Sequence, residues 1–319
     1  MSPFTRQRSQ SIAALGEIKL INEIQRWLGT ATPKAPAGIG DDCAILAGSP
    51  KDQLVTVDPV IYREHFDDTI PARGVGAKLF NRNLSDIAAM GGRPRAAVIA
   101  LAMSKEVKIE WLRDFYRSLA NIARRHRVPI VGGDVAQQPT GFTATMTLIG
   151  ESSHQRTLIR QGAKAGDWIF TTGKLGGSRL NWHWKFTPRL AEGQWLASRP
   201  EVRAMMDISD GLAKDLISLQ PKGTRAALSK QMIPVSRSAD QMSKESNKLA
   251  LFHALTDGED YELLFVVNGR TKPEMLQKAW SRHFKLPLAC IGRFLKTKAV
   301  SPFDDELDLS KYHGFEHLR

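Results

Sequence analysis

Residues 83–91, Asn83-Leu-Ser-Asp-Ile-Ala-Ala-Met-Gly91, decide the predicted fold of the N-terminal half of the chain. They form the end of a helix predicted over Val75–Met90, because the pair Gly91-Gly92 stops the helical pattern. An apolar segment, Ala96–Met103, follows directly and has the length of a buried strand. Asp86 is the acidic residue of the helical segment's last two turns. A helix that leads into a buried strand predicts mixed helix and sheet structure.

The same periodicity analysis predicts helices and strands on both sides of this segment. Gly29 ends the first helix, and alternating apolar residues mark the strand over Phe142–Leu148. The segment Gln220–Lys248 is polar and weakly patterned, so we expect it to be rich in loops. The other predicted helices are Glu17–Leu28, Ile109–Arg125 and Lys272–Arg282, and the other strands are Cys43–Leu46, Leu54–Val57, Val128–Val131, Asp167–Thr171, Tyr261–Val267 and Leu288–Gly292.

Length and composition predict two mixed domains. The chain has 319 residues, of which 42% are hydrophobic and 24% charged, and this balance suits a folded protein. Mixed elements in both halves favour two α/β or α+β domains, over residues 1–151 and 152–319. With only Cys43 and Cys290, a disulfide framework is not expected. The apolar runs are too short to span a bilayer, and we expect a cytoplasmic protein with no membrane partner.

The net charge of +12 has two interpretations. One is a nucleic-acid-binding protein, and the other is a basic surface on a protein with small anionic substrates. The basic residues Arg124, Arg125 and Arg127 lie in a helical stretch without an interleaved aromatic stripe. We therefore expect no nucleic-acid partner.

Acidic residues stand beside glycines or inside apolar runs at six places. A single one is most simply a helix cap or a turn residue. Burying a carboxylate alone is costly, and six such sites without an evident lysine partner favour a shared centre for a hard cation such as Mg²⁺. The segments are Gly38-Ile-Gly-Asp-Asp-Cys43, Val55-Thr-Val-Asp58, Asn83-Leu-Ser-Asp86, Gly132-Gly-Asp134, Met206-Asp-Ile-Ser-Asp-Gly211 and Asp257-Gly-Glu-Asp260.

Several other chemistries lack their sequence motifs. The chain has no Gly-x4-Gly-Lys-Ser/Thr phosphate loop, no protein-kinase catalytic loop and no Gly-x-Ser-x-Gly elbow. Cysteine and histidine spacings typical of zinc sites are also absent. Gly132-Gly133-Asp134 instead offers a glycine backbone that an anion can approach, next to a carboxylate.

Six motifs together resemble those of the thiamine-monophosphate kinases, in the same order and over nearly the whole chain. The segments Asn83–Gly91 and Gly258–Leu263 are the most specific of them. The resemblance implies a two-domain fold like that of aminoimidazole ribonucleotide synthetase, with the N-terminal sheet pairing across a homodimer. It further implies that ATP phosphorylates thiamine monophosphate to thiamine diphosphate, with Mg²⁺ bridging the phosphates. The motifs are Gly38–Ala44, Asp58 with His65-Phe66, Asn83–Gly91, Gly132–Asp134, Asp207–Leu212 and Gly258–Leu263.

The resemblance also implies roles for individual residues. Positions matching magnesium contacts are Asp42, Thr56, Val57, Asp58, Asp86, Asp134, Asp207 and Asp210. Positions matching ATP contacts are Gly133, Asp134, Arg160 and Ser209, and those matching the thiamine phosphate substrate are His65, Glu259 and Phe315. Asp42, Asp86, Asp134 and Asp210 are the candidate catalytic residues. The chain departs from the family's pattern at Arg63, which either contacts phosphate or faces solvent, and at Val135-Ala136.

A phosphate acceptor is already anionic near neutral pH, so this reaction needs no general base. Its obstacle is repulsion between phosphates, about 4 kcal/mol for two unit charges 4 Å apart at an effective dielectric of 20. Three alternatives remain at this stage: another enzyme of the aminoimidazole ribonucleotide synthetase superfamily, a non-catalytic binder of nucleotide or thiamine phosphate, and a basic nucleic-acid-binding protein.

Overall fold

The structure is a computed structural model that describes residues 2–34, 37–39, 44, 46–154, 156–180 and 182–315. It divides into two compact units, one of residues 1–87 and 93–152, the other of residues 88–92 and 153–319. The short segment 88–92 belongs to the second unit, which a single division of the chain did not foresee. Asp42 lies outside the described residues, as do Cys43 and Ile45 of the strand predicted over Cys43–Leu46. The two described residues of that segment, Ala44 and Leu46, belong to no strand.

The first unit is a four-stranded sheet with three helices. Its strands follow the order β1-β4-β2-β3, in which β1 pairs antiparallel with β4, and β2 pairs parallel with β3. β1 and β3 are therefore the two edges of this sheet. The elements are α1 (Glu17–Leu28), β1 (Gln53–Ile61), α2 (Ala72–Ala89), β2 (Gly92–Met103), α3 (Ile109–His126), β3 (Ile130–Gln137) and β4 (Phe142–Ser152).

Apolar periodicity explains these elements. α1 buries Leu20, Ile24 and Leu28, and it ends where Gly29 adopts a φ of 54°. β4 alternates buried and half-buried residues from Phe142 onward, as a strand with one covered face does. On α3, Phe115 packs edge-on against Phe142 with 5.5 Å between ring centroids, a pairing that stabilises the core by about 1 kcal/mol.

β3 is longer than the sequence predicts. The predicted strand stops at Val131, but the observed strand continues through Gly132, Gly133 and Asp134 to Gln137. Parallel pairing with β2 carries it on, and Gly133 lies opposite Ile99. A β-carbon at Gly133 would lie 2.0 Å from the Ile99 carbonyl oxygen, whereas one at Gly132 would meet nothing nearer than 3.6 Å. Gly133 is thus required by close strand packing.

The second unit is a five-stranded sheet in the order β6-β8-β5-β9-β7 with helices on its faces. All its strand pairs are antiparallel. Two apolar clusters pack around this sheet, and the interior strand β8 is buried at every position. Its elements are β5 (Trp168–Thr172), α4 (Trp182–Lys185), α5 (Leu190–Ala197), β6 (Val202–Asp207), α6 (Leu212–Leu219), β7 (Thr224–Leu228), α7 (Arg237–Ser246), α8 (Ala250–Thr256), β8 (Leu263–Val267), α9 (Pro273–Ser281) and β9 (Leu288–Lys296).

The prediction of a loop-rich segment over Gln220–Lys248 is wrong, because it contains β7 and α7. β7 is a five-residue edge strand whose pairing with β9 depends on the rest of the sheet. α7 buries only Ala239 and begins with Ser236, whose hydroxyl accepts the Ala239 N–H. Elements with so little buried surface leave almost no apolar period in the sequence.

Within the part of the chain that the structure describes, no helix is both long and apolar enough to cross a membrane.

Candidate functional site

In the first unit, helix α2 holds β1 and the loop after it through three polar side chains spaced one helical turn apart. The spacing of four residues places these side chains on one face of the helix. The contacts are Lys78 Nζ to the His65 carbonyl oxygen at 2.8 Å, Arg82 Nε to Asp58 Oδ2 at 3.1 Å, and Thr56 Oγ1 to Asp86 Oδ2 at 2.5 Å. The chain segment from Thr56 to His65 thus runs antiparallel to α2.

This arrangement brings four predicted site residues, Thr56, Asp58, His65 and Asp86, to one side of α2. The His65 Nδ1 atom accepts the Ile61 backbone N–H at 3.2 Å, so the proton of a neutral ring lies on Nε2. An Nε2–H group is a donor suited to a phosphate oxygen. Neighbouring Arg63 is exposed, with its guanidinium 5.6 Å from the centre of the Tyr62 ring.

Asn83 is a further buried polar residue of α2 and is 0% exposed. Its Nδ2 donates to the Leu79 carbonyl oxygen at 2.9 Å and lies 3.5 Å from that of Asp58. Its Oδ1 has no hydrogen-bond partner among the described residues. A buried acceptor without a partner costs about 1–3 kcal/mol, so a cation or donor near Asp58 would stabilise this side chain.

Asp134 lies apart from this group within the chain. It is exposed on β3, the edge strand opposite β1, and three strand spacings correspond to about 14 Å across the sheet. A small pocket of about 100 Å³ lies next to Gly133 and Asp134. Its walls are mostly apolar residues of α1, α3 and β3, such as Ile21 and Ile130. The structure therefore does not bring Asp134 to Asp58 within one copy.

In the second unit, the loop after β6 is held by a buried carboxylate. Asp215 Oδ2 accepts the backbone N–H groups of Ser209 and Asp210, each at 2.9 Å. Burial raises the pKa of Asp215 to about 7, against the effect of these donors and with the help of the charges of Asp207 and Asp210. One side chain of α6 thereby fixes the backbone that carries two predicted site residues.

Two predicted substrate residues attach to the same loop through their backbones. The Glu259 N–H donates to the Ser209 carbonyl oxygen at 2.7 Å, and the Phe315 N–H donates to that of Asp210 at 2.9 Å. Lys214 Nζ joins Asp210 Oδ2 at 2.7 Å to the Phe315 carbonyl oxygen at 2.6 Å. Glu259 has a φ of 54°, a strained conformation for a residue with a β-carbon. The structure thus brings Ser209, Asp210, Glu259 and Phe315 together.

Buried acids surround this loop. Asp260 accepts the Gly176 N–H at 2.8 Å through Oδ1, while its Oδ2 has no hydrogen-bond partner in the described parts of the chain. Burial, together with the charges of Glu262 and Asp257, raises the pKa of Asp260 well above its usual value. Glu262 is paired with the guanidinium of Arg189. The excess of carboxylates around Asp260 makes this region a favourable place for a cation.

Comparison with protein families gives a match over residues 40–152 to the N-terminal domain of AIR synthase related proteins. The thiamine-monophosphate kinase of Rhodopirellula baltica is 31% identical over 298 residues, which cover 88% of this chain and 92% of that protein. The enzyme of Escherichia coli K12 is 32% identical, covering 96% of this chain and 99% of the relative. This chain belongs to the thiamine-monophosphate kinase family.

Solved structures of thiamine-monophosphate kinases have the same fold. The protein from Stenotrophomonas maltophilia K279a superimposes with a TM-score of 0.74 at 28% identity, covering 92% of this chain and 98% of that chain. AaThiL complexed with AMPPCP and TMP gives a TM-score of 0.71 at 26% identity, covering 99% of this chain and 100% of its own. The predicted family and the aminoimidazole ribonucleotide synthetase-like fold are confirmed.

For a thiamine-monophosphate kinase, the question is whether these residues suit Mg²⁺. The described residues contain no group of three or more His, Cys, Asp or Glu side chains that would hold a metal by themselves. They do offer hard oxygen donors, namely the carboxylates, the Thr56 hydroxyl and the orphaned Oδ1 of Asn83 and Oδ2 of Asp260. Mg²⁺ commonly takes one or two carboxylates and completes its shell with water and substrate phosphates. The residues therefore fit a magnesium ion that is shared with phosphates.

The acidic sites were expected to lack a lysine partner, and this is wrong for Asp210, which pairs with Lys214. Asp58 also has a basic partner, the arginine Arg82. Arg82 lies 24 residues after Asp58 in the sequence, so their pairing depends on the tertiary packing of α2 on β1. Lys214 lies four residues after Asp210, and that helical spacing could have revealed it.

Other predicted residues remain as predictions. Arg160 is exposed, and it has no hydrogen bond or ion pair with the rest of the described chain. The side chain of Val57 points to the face of β1 opposite to that of Thr56. Only the backbone of Val57 therefore lies next to both Thr56 and Asp58. Sequence reasoning assigned no role to four further residues, namely Arg82, Asn83, Asp215 and Arg189. Of these four residues, Asp215 could have been found from the sequence, because it is a charged residue within the apolar pattern of α6.

Proposed function

We propose that this chain transfers the γ-phosphoryl group of ATP to thiamine monophosphate, giving thiamine diphosphate and ADP. The observation that carries the proposal is family membership over nearly the whole chain, at 31–32% identity to thiamine-monophosphate kinases. The relative of known structure that was complexed with AMPPCP and TMP supports ATP and thiamine monophosphate as the two substrates. We also propose a cytoplasmic location, where ATP is supplied.

We infer that Mg²⁺ is the resident cofactor. In the first unit, Thr56, Asp58 and Asp86 would hold it, with Asp42 and the Val57 carbonyl as further candidates. In the second unit, Asp207 and Asp210 would do so. When bound, Mg²⁺ supplies the positive charge that lets two anionic phosphates approach. The short contact between Thr56 and Asp86 supports this, because it places two oxygen donors side by side.

The residues of the chain bind and orient the two substrates. His65, with its proton on Nε2, donates to the phosphate of thiamine monophosphate, and Arg160 and Ser209 contact the phosphates of ATP. Glu259 and Phe315 position the thiamine moiety, and their attachment to the Ser209–Asp210 backbone supports this role. The acceptor oxygen is already anionic, so no side chain removes a proton. In-line alignment of the two substrates is the main contribution of the protein.

We further propose a homodimer that forms through the sheet of the first unit. Thr56 and Asp58 face α2, so Val55 and Val57 lie on the opposite face, where they are 68% and 58% exposed. An exposed apolar sheet face is typical of an interaction surface. Pairing of two such sheets would bring the edge strands of one copy beside those of the other. Asp134 of one copy would then lie near acidic side chains of the other copy, which its own chain does not bring close to it.

The dimer is tested by sedimentation of the Val57→Asp variant. We expect monomers, because a buried unpaired carboxylate destabilises an interface. Ile217→Asp is the matched control, since Ile217 is an exposed apolar residue of α6 in the second unit, with 69% exposure. A dimeric Val57→Asp protein, or a wild-type monomer, would refute this interface.

The reaction is tested by incubating the chain with ATP, Mg²⁺ and thiamine monophosphate and separating the thiamine phosphates chromatographically. We expect thiamine diphosphate and ADP in equal amounts. Binding of both substrates without product would support a non-catalytic binder instead. Hydrolysis of ATP that does not depend on thiamine monophosphate would indicate a different acceptor.

A further inference from the structure

Arg82 occupies a built position on α2, one turn before Asp86. Its side chain is 13% exposed, and its contacts with described residues include those from Nε to Asp58 Oδ2 at 3.1 Å and from Nη1 to the Pro59 carbonyl oxygen at 2.7 Å. A guanidinium whose Nε–H and Nη1–H groups are both hydrogen-bonded has a fixed orientation, unlike that of a mobile surface arginine. A positive charge is thereby fixed against a carboxylate that is expected to hold a metal.

We propose that Arg82 is the resident counter-ion of Asp58, which holds that carboxylate in the metal-free chain and gives way when Mg²⁺ binds. This inference rests on the proposed function, because it assumes that Asp58 is a magnesium ligand. Arg82 and a metal at Asp58 Oδ2 would compete for one oxygen atom and repel each other. Arg82 therefore lowers the affinity of the chain for Mg²⁺ and sets the Mg²⁺ concentration at which the site fills.

The surrounding contacts indicate what Arg82 contributes before metal binds. Arg82 and Asp86 lie one turn apart on α2, and their partners Asp58 and Thr56 lie two residues apart on β1, so the Asp58 and Asp86 carboxylates occupy neighbouring positions of one helix–strand contact. A fixed cation at Asp58 reduces the repulsion between the two carboxylates and keeps Asp58 oriented. The bond from Nη1 to Pro59 does not involve Asp58, so it can retain Arg82 nearby when Asp58 turns to the metal.

A purely structural role for Arg82 is the alternative. In that case it would only fasten β1 to α2, and its loss would lower the melting temperature equally with and without Mg²⁺. The midpoint of a Mg²⁺ titration separates the two roles, because only competition for Asp58 changes the affinity for metal.

The experiment is a Mg²⁺ titration of the full chain without nucleotide, followed by thermal unfolding. We expect Arg82→Gln to reach half of its Mg²⁺-induced stabilisation at about one tenth of the wild-type concentration. Arg82→Lys keeps the charge and should stay within about threefold of wild type. Arg225→Gln is the matched control, since it removes an arginine–carboxylate pair with Glu306 in the second unit, and its midpoint should not change.

An unchanged or higher midpoint in Arg82→Gln would overturn the inference while leaving the proposed reaction intact. A wild-type chain that does not respond to Mg²⁺ would also overturn the inference, and the product assay with ATP, Mg²⁺ and thiamine monophosphate would then decide the proposed reaction separately. If Arg82→Gln does not fold, the wild-type protein labelled with ¹⁵N-arginine replaces it, with Arg82→Lys used to assign the Nε–H signal. We expect slow exchange of that proton without Mg²⁺ and fast exchange at saturation, and an Nε–H signal that Mg²⁺ leaves unchanged would refute displacement.

Discussion

The two units fix their predicted site residues mainly through different contacts, although Asp210 of the second unit also pairs with the side chain of Lys214. In the first unit, the side chains of Arg82 and Thr56 hold the carboxylates of Asp58 and Asp86. In the second unit, Asp215 holds the backbone of Ser209 and Asp210, and further backbone bonds attach the rest of the site. A contact between two side chains can be exchanged for a metal, whereas a contact to the backbone fixes the path of the chain. We therefore expect the side-chain contacts of the first unit to rearrange more readily than the backbone contacts of the second unit.

The strongest test of this difference is removal of the Asp215 carboxylate. Asp215→Ala leaves two partly buried N–H groups without their acceptor, so we expect the free energy of unfolding to fall by about 2–4 kcal/mol and transfer to fall more than a hundredfold. Asp215→Asn keeps an oxygen acceptor, and burial already favours the neutral acid, so its loss of stability should stay within about 2 kcal/mol. Urea unfolding and the product assay measure both effects. Equal losses in the two variants would contradict a backbone-holding role.

The second test concerns the edge strand that carries Asp134. Gly133→Ala places a methyl group against the Ile99 carbonyl, so we expect a loss of about 1–3 kcal/mol of stability. Gly132→Ala is the matched control, because the nearest atom would be 3.6 Å away, and its loss should stay within about 1 kcal/mol. Chemical denaturation measures the free energy of unfolding of both variants. A stable Gly133→Ala protein that loses only ATP binding would favour a direct phosphate role for Gly133.

The smallest effect is expected where a side chain assists the backbone frame. Lys214→Met removes the link between Asp210 and the Phe315 carbonyl, but this partly exposed ion pair should contribute less than about 1 kcal/mol to stability. The backbone bond from Phe315 to Asp210 remains. We therefore expect the KM for thiamine monophosphate to rise about threefold, with kcat and the KM for ATP nearly unchanged. A large drop in kcat would show that Lys214 contacts the reacting phosphates.

The sequence predicted the elements with strong apolar periods best. The helix over Glu17–Leu28 has the predicted bounds, and α2 and α3 differ from prediction by at most a few residues. β7 and α7 were missed, because an edge strand and an exposed helix owe their stability to neighbours rather than to their own pattern. Local periodicity cannot report such dependence.

For the candidate site, motifs identified residues but not their partners. Thr56 and Asp86 were predicted as metal contacts, and the structure joins them by a hydrogen bond. Arg82 and Asn83 stand inside or next to the most specific motif, yet nothing in the sequence indicates that both reach Asp58 on another element. The missing information was the register of α2 on β1, which tertiary packing sets.

The central claim is that aspartates of this chain bind the Mg²⁺ ions that allow two phosphates to react. Thiamine diphosphate formation by Asp86→Asn is compared with that by Asp114→Asn, which changes a partly exposed aspartate of α3. We expect Asp86→Asn to keep its melting temperature within a few degrees but to lose more than about a thousandfold in turnover, whereas Asp114→Asn should behave as wild type. Near-normal turnover by a folded Asp86→Asn protein would contradict the account.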